Sequence, residues 1–367
     1  MDGLEMLQTE LGTHGLLIKS QNDGFDSYQE GLGWYGSLEF INSESMYMVR
    51  ASEPCVVNMT GPIAKVTDHP ITLNNGLTWI GFPMDVSMSL EDAMSGFTPS
   101  SGDVLKSQSA GFSSYQEGLG WYGALMTLSP GMGLMYKSTN PNPVTFTYPT
   151  STAKGEQKAN LNTDNNYWKP NLTAYPYNMS VMAVVELDNE ELQGENYELA
   201  AFANGECRGS VRLLYVEPLN RYIAFLTVAG DEATELNFSL YNAETGAVET
   251  QCFASLTYET NAVIGGFETP YVVRFRSTTG VNEFGKAVQI YPNPVERGQI
   301  LTFGLSETEI GEVQVAIINA IGVTIETQCF ASPKTSITIK APDATGLYML
   351  RVTSASGETY YGKLVVK

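Results

Sequence analysis

The sequence predicts a mostly β protein assembled from several small domains, and three observations carry that expectation. Charged residues make up only 16% of the 367 positions, against 35 Gly and 20 Tyr, a composition suited to strands and turns. Short runs of alternating apolar and polar residues recur between Gly-, Asn- and Pro-containing turns and outnumber any helical pattern. A block of sequence also repeats at a fixed offset, the signature of tandem modules. The expected order is tandem small β-rich (α+β) modules over residues 1–68 and 69–150, a linker over 151–172, a β-sandwich over 173–280 and a second β-sandwich over 281–367.

The repeat organises the first part of the chain. Lys19 to Gly36 reads KSQNDGFDSYQEGLGWYG and Lys106 to Gly123 reads KSQSAGFSSYQEGLGWYG, an offset of 87 with differences only at Asn22, Asp23 and Asp26. The likeness continues weakly: MVRAS (Met48 to Ser52) aligns with MYKST (Met135 to Thr139), and VNMTGP (Val57 to Pro62) with VTFTYP (Val144 to Pro149). In the second copy strands are expected at Trp79 to Phe82, Asp103 to Ser107, Phe112 to Tyr115, Trp121 to Leu125 and Gly133 to Lys137, with a turn at Ser129-Pro130-Gly131. Ser89-Leu90-Glu91-Asp92 reads as the capped start of a short helix. In the first copy the counterpart of Trp79-Ile80-Gly81-Phe82-Pro83 would precede Met1. The first module is therefore expected to open near its helix without its first strand, the natural protein extending further upstream.

The copies have diverged unevenly. Over Lys19 to Gly36 they agree at 15 of 18 positions, whereas over Ser37 to Ser52 only Leu38 and Met48 match. Something holds the first half fixed. One reading is a ligand-contacting loop in which Tyr28, Trp34 and Tyr35, and their counterparts Tyr115, Trp121 and Tyr122, form an aromatic platform beside Gln29 and Glu30. Such a surface suits sugar rings or a protein partner. The other reading makes these rings the core of an undersized module, the commoner duty of clustered aromatics; local gene conversion would leave the same pattern. Gly31-x-Gly33-x-x-Gly36 matches the dinucleotide fingerprint in form, but no strand-to-helix context surrounds it. A glycine-rich hairpin turn is expected instead, and no cofactor.

Beyond the polar stretch TSTAKGEQKANLNTDNN the chain returns to strands. Asn204-Gly205 lies between alternating runs, a strong hairpin signal. Pro218-Leu219-Asn220 marks another turn, and Leu236, Phe238 and Leu240 alternate inward before a turn at Thr245-Gly246. ETQCFAS occurs at Glu249 to Ser255 and at Glu326 to Ser332, each time after a strand and a Gly-containing turn, which suggests the return strands of two equivalent hairpins.

The net charge of −20 opposes phosphate backbones, so no nucleic-acid partner is expected. No run of eighteen apolar residues exists to span a membrane as a helix. Cys55, Cys207, Cys252 and Cys329 lack the spacing of structural zinc frameworks. Where the compartment permits disulfides, Cys207 and Cys252 are the favoured pair because both lie in one expected domain; four unpaired buried thiols acting as small hydrophobes are the alternative. His14 and His69 are the only histidines, too few for a multi-His metal site or a readily assembled triad. Asp188-Asn189-Glu190-Glu191 and Asp164-Asn165-Asn166 lack EF-hand spacing and read as solvated turns, so no metal is expected.

The last eighty residues carry motifs in a fixed order. IYPNPVERGQ (Ile290 to Gln299) opens the stretch; Val313, Val315 and Ile317 alternate with Gln314 and Ala316; Ile337 and Ile339 flank Thr338. Tyr348, Leu350 and Val352 form a further alternating strand after Gly346, and the chain ends in GETYYGKLVVK. Ala320-Ile321-Gly322 and Ser356-Gly357 supply turns. This order resembles the C-terminal sorting domain of type IX secretion substrates in Bacteroidota, an Ig-like β-sandwich. Matching positions are Tyr291, Pro292, Asn293 and Pro294 at the opening, Gly346 and Tyr348, and Lys363 near the end. The resemblance implies recognition by the outer-membrane secretion machinery and an extracellular or outer-membrane-surface destination; it implies nothing about chemistry. The function expected is a non-catalytic adhesion or ligand-binding stalk with a glycan or host-protein ligand. The alternative is the accessory tail of a secreted peptidase or glycosidase whose catalytic domain lies upstream.

Overall fold

Alternating side chains, punctuated by Gly and Asn in left-handed conformations, make nearly every element a strand. The computed structural model describes residues 2–62, 65–150, 165–277, 288, 290–304, 313–320, 322–331, 336–353 and 359–367. The chain forms two units, Met1–Thr278 and Thr279–Lys367.

The first unit opens with α1 (Gly3–Leu11), capped by Asp2, which accepts from the Glu5 amide at 2.8 Å. Leu4, Leu7 and Leu11 form one stripe of the helix and pack with Ile18 and Leu38. The sheet consists of β1 (Gly15–Lys19), β2 (Phe25–Gln29), β3 (Gly33–Gly36) and β4 (Met48–Ala51), in the order β3-β2-β1-β4.

The second module repeats this plan with additions. It comprises β5 (Ile71–Leu73), β6 (Gly76–Gly81), β7 (Met88–Ser89), α2 (Leu90–Ala93), β8 (Val104–Lys106), β9 (Phe112–Gln116), β10 (Gly120–Gly123), β11 (Thr127–Leu128), β12 (Gly133–Ser138) and β13 (Val144–Phe146). Ser89 caps α2, its Oγ accepting from the Asp92 amide at 3.1 Å, as the sequence suggests. The main sheet runs β10-β9-β8-β12-β6. Strands β1, β2, β3 and β4 correspond to β8, β9, β10 and β12 at the offset of 87. Among the described residues β6 has no counterpart in the first module, and the outer edge of β4 carries no strand. The glycine pattern that mimics a dinucleotide motif closes the β2–β3 and β9–β10 hairpins, with Gly31, Gly33, Gly118 and Gly120 all at φ between 81° and 85°.

In the second module a buried carboxylate pins the loop before β8 to the end of β12. Asp103, 2% exposed, accepts from Tyr136 Oη at 2.5 Å, from the Ser100 amide at 2.9 Å and from the Thr139 amide and hydroxyl at 2.6 and 2.8 Å. The first module has Leu16 and Val49 at the positions of Asp103 and Tyr136, so this network belongs to the second copy alone.

A β-sandwich follows. One sheet holds β14 (Tyr177–Leu187), β15 (Glu190–Glu191), β18 (Leu214–Val216) and β19 (Arg221–Gly230), ordered β15-β14-β19-β18, with β23 (Val263–Ile264) and β24 (Tyr271–Phe275) parallel to β14. The other holds β16 (Tyr197–Ala203), β17 (Glu206–Arg212), β20 (Glu235–Asn242), β21 (Val248–Glu249) and β22 (Leu256–Thr257), which pairs with β20. Asn204 and Gly205, at φ 51° and 81°, form the expected β16–β17 turn, and Leu236, Phe238 and Leu240 point into the core. The two ETQCFAS copies do begin on hairpin return strands, but the first reaches only Glu249 before its strand ends.

The structure departs from two expectations here. Residues 151–164 of the expected linker lie outside the described residues, but 165–168 belong to the sandwich surface. Asn166 donates to Ser210, the Tyr167 and Trp168 amides both donate to the buried Glu198 carboxylate, and the Trp168 ring meets Phe202 edge-on. The polar run conceals this because its ordering contacts are side-chain oxygens thirty or more residues away. The favoured Cys207–Cys252 disulfide is absent. Cys207 lies on β17, whereas Cys252 bridges Phe275 of β24 in the opposite sheet. Burial pushes both thiols up, Cys207 to about 11.

The second unit is a smaller sandwich. Strands β25 (Ile290–Tyr291), β26 (Ile300–Gly304) and β29 (Ser336–Lys340) form one sheet, and β27 (Val313–Asn319), β28 (Thr324–Phe330), β30 (Gly346–Thr353) and β31 (Thr359–Val366) the other, ordered β28-β27-β30-β31. Their inner faces share one core, including Phe303, Val315, Ile317, Ile339, Leu350 and Leu364. The Ser356-Gly357 turn and Ile321 lie outside the described residues.

The second module and the first sandwich meet in a seam. On β8 and β10, Leu105 and Trp121 point into the module's own core, while Val104, Lys106 and Tyr122 point the other way, onto β14 and β19. Phe112 meets Phe225 edge-on at 5.8 Å, and Met182, Val184 and Ile223 complete the apolar contact. Lys106 Nζ donates to the Asn178 carbonyl at 3.0 Å and to Asn261 Oδ1 at 2.9 Å; Asn178 Nδ2 answers by donating to the Ser107 carbonyl at 3.0 Å.

Two predictions follow from these contacts. Asp103→Ala strands several donors in the interior, and chemical denaturation should show a loss of roughly 3 kcal/mol, with Asp103→Asn milder. Burial, reinforced by Lys137, lowers the Lys106 amine from 10.5 to about 7. Between these limits the unfolded chain binds the extra proton, so the seam gains stability as pH rises from about 7 towards 10.5 and carries the full charging penalty below. The thermal midpoint of the native chain relative to Lys106→Met should therefore climb between pH 7 and 10; a flat difference would refute a buried, titrating amine.

Candidate functional site

The six aromatic residues of the expected platform do not share a surface. Tyr28 pairs with Trp34 across β2–β3, and Tyr115 with Trp121 across β9–β10, each as edge-to-face rings at 5.7 and 5.5 Å on the inner side of the sheet. Trp121 is 4% exposed within the module core, and Trp34 Nε1 donates to the Gln8 carbonyl of α1 at 3.2 Å. Tyr35 and Tyr122 follow these tryptophans directly in an extended strand, so they emerge on the opposite face. A single platform would require adjacent residues to point the same way.

The outer faces are built alike and situated differently. In the second module Phe112 is fully buried, and Leu119, Tyr122 and Ala124 pack with it against the sandwich, Tyr122 reaching Phe267 at 6.5 Å. In the first module the counterparts Phe25, Leu32 and Tyr35 are 49%, 73% and 53% exposed. Phe25 and Leu32 escape attention in the sequence because a platform is sought among tyrosines and tryptophans. Their signal is the retained block itself, which includes both. The neighbouring glutamines repeat one task with different partners. Gln21 donates to the Leu77 carbonyl at 2.8 Å and accepts from the Trp79 amide at 2.7 Å, capping the edge of β6; Gln108 donates to the Tyr175 carbonyl at 3.0 Å.

Other candidate chemistry is dispersed. His14 pairs with Glu53 at 2.7 Å and His69 with Glu44, in separate places. Among the described residues no three His, Cys, Asp or Glu side chains gather as metal ligands. Asp188 and Asn189 form a left-handed turn, and Glu191 beyond it holds Arg221 at 2.6 Å. A groove of about 360 Å³ between the first two modules is lined by Met46, Tyr47, Phe82, Met84 and Met132 with small polar neighbours, and by no carboxylate, imidazole or thiol.

In the second unit the motif residues converge although seventy positions separate them. Asn293, held between two prolines that bring no N–H donors, donates from Nδ2 to the Lys363 carbonyl at 2.6 Å and accepts at Oδ1 from the Val365 amide at 2.9 Å. The next residues continue the contact: the Val295 amide donates to the Val365 carbonyl, and the Lys367 amide to the Val295 carbonyl, both at 2.9 Å. The opening segment is thereby zipped to the final strand, whose Lys363 side chain is exposed. Tyr291 is 80% exposed; Tyr348 is buried and donates to the Ala344 carbonyl at 2.9 Å, and Gly346 starts β30 beside it. At Gly362 an added Cβ would press on the tip of the Ile290 side chain at 2.7 Å and lie 3.1 Å from the Val288 carbonyl.

Comparison with known proteins agrees with this second unit. The family described as "Secretion system C-terminal sorting domain" matches residues 289–367. No curated protein matches the chain. Solved structures with similarity include a two-fibronectin-type-III-domain segment from chicken tenascin, at 14% identity over 47% of this chain and 86% of that one, with a TM-score of 0.19. Another is the Bacteroides ovatus mixed-linkage glucan utilization locus protein SGBP-B in complex with a mixed-linkage heptasaccharide, at 10% identity over 86% and 69% of the two chains, TM-score 0.17. A third is the BSP domain of a biofilm associated protein, at 10% identity over 99% and 69%, TM-score 0.17. With its opening motif clamped on the last strand and its sequence matching over residues 289–367, the C-terminal unit is a type IX secretion sorting domain, and the chain is a substrate exported to the cell surface or the extracellular space.

Proposed function

We propose that this secreted chain is a non-catalytic binding protein whose first module presents the ligand-contacting face and whose sorting domain delivers it. The observation that supports this reading is the contrast between two nearly identical faces. Phe112, Leu119 and Tyr122 are covered by a neighbouring domain, while Phe25, Leu32 and Tyr35 carry the same chemistry in the open. Exposed rings on a rigid hairpin bury large area at low entropic cost, which suits the flat faces of sugars and the apolar centre of a protein interface. The ligand class is a glycan or a surface glycoprotein, and the contacting residues are Phe25, Leu32 and Tyr35 rather than the inward-facing Tyr28 and Trp34.

Titration of the full chain against polysaccharides and host glycoproteins tests this reading. Phe25→Ala with Tyr35→Ala should weaken binding by about tenfold or more without shifting the thermal midpoint. Trp121→Ala should instead cost stability, by roughly 3–5 kcal/mol, because it empties a core. Equal binding by native chain and double variant would refute the assignment.

Delivery is tested separately in a type IX-competent host. Removing residues 363–367 deletes the strand segment that Asn293 holds, and surface display should stop. Asn293→Ala leaves the β31 edge polar groups without their partner and should lower display in step with the melting temperature. Lys363→Ala should lower display with the melting temperature unchanged; a fall in both would make Lys363 a structural residue only.

A further inference from the structure

The two outer faces differ in one respect that bears on the ligand: one of them has its partner in place. The second module's face is seated on a sheet of β-sandwich type, where Phe112 meets Phe225, Tyr122 meets Phe267, and Lys106 donates to a carbonyl and an asparagine at the corner. At an offset of 87 the first module offers Phe25, Tyr35 and Lys19 in the same strands and register, with Leu32 on the same turn as Leu119. A surface that is retained nearly unchanged after duplication, and that in one copy fits a sheet face, is shaped for a sheet face in the other.

From this we infer that the open face of the first module docks a β-sandwich domain carried by another polypeptide, which presents one aromatic ring among branched aliphatic residues on a sheet and a second on a bordering loop, with neutral oxygen acceptors opposite Lys19. The inference rests on the binding reading above and names the partner's chemistry. The sandwich of the first unit cannot serve, because its face is covered by the second module. The three differences within the retained block lie off the docking face. Asp26 is turned inward, accepting from Gln8 at 2.7 Å and from the Leu38 amide at 3.1 Å, so it alters support rather than contact. Asn22 and Asp23 are exposed where the second copy has Ser109 and Ala110. Both line a recess with Pro70, Thr72 and Trp79 of the second module, so they bear on the junction between the two modules and leave the docking face unchanged.

A test needs a sandwich with its sheet face free, and a second copy of the whole chain supplies one. Phe112→Ser with Lys106→Glu opens the seam and releases the face of β14 and β19. The native chain, mixed with this copy labelled with a fluorophore, should form a one-to-one complex in sedimentation velocity. Phe25→Ser with Tyr35→Ser in the native partner should weaken that complex by about tenfold or more, and native chain with native chain should not pair. Hydrogen exchange verifies that β14 and β19 of the opened copy remain folded. Where they do not, a copy cut only at the half-buried rim of the seam, Leu119→Ser with Tyr122→Ser, takes its place. No complex with a folded, opened copy overturns the inference. Glycan binding that survives such a result, and that still depends on Phe25 and Tyr35, leaves the general binding reading standing and makes sugar the ligand.

Discussion

A sheet of five short strands has two faces, and one short helix covers only one of them. That constraint governs the first unit. In the second module Trp121, Leu105 and Leu134 fill the space under the helix, and the reverse side would stand apolar in water if β14 and β19 did not cover it. The cover in turn changes the sandwich. β14 is buried on both sides, Met179, Val181, Ala183 and Val185 facing its own core and Asn178, Met182 and Val184 facing the module. Neither domain's surface is complete without the other. The seam is therefore a core shared by two domains, and Lys106 is tolerated in it because its amine finds two oxygen acceptors there.

A second device recurs at sheet edges. Gln21 lays its side-chain amide on the edge of β6, donating to Leu77 and accepting from Trp79; Asn293 does the same on the edge of β31 with Lys363 and Val365. Each amide imitates one peptide unit of a missing neighbour strand. It thereby satisfies polar groups that an open edge would leave for another chain to pair with. In the sorting domain this joins the family's opening motif to its closing strand.

Much of the fold was legible because local chemistry and global structure agree. The hairpins at Asn204-Gly205 and at the repeated glycines, the cap at Ser89 and the alternation of Leu236, Phe238 and Leu240 all rest on interactions within a few residues or on a strict period of two. What was hidden rests on distant partners. The TDNN segment looks like linker because its ordering groups, Ser210 and Glu198, lie elsewhere in the chain. Of the two readings of YQEGLGWYG, the core holds for Tyr28, Trp34, Tyr115 and Trp121, and a single platform fails because Trp34 and Tyr35 must diverge once the segment becomes a strand.

By itself the sequence determined the destination of this protein and its plan. Export is written in an ordered set of motifs at the C-terminus, and the duplicated architecture in an offset of 87 residues, because both are linear patterns. The retained block also singles out one half of the module, but not which side of it matters. Only the tertiary structure decided that. Phe25 and Phe112 are the same residue in the same motif, yet one is half exposed and the other fully buried. The difference lies in whether a second sheet is present to exclude water from the face, and that neighbour is encoded some seventy residues beyond the motif it covers.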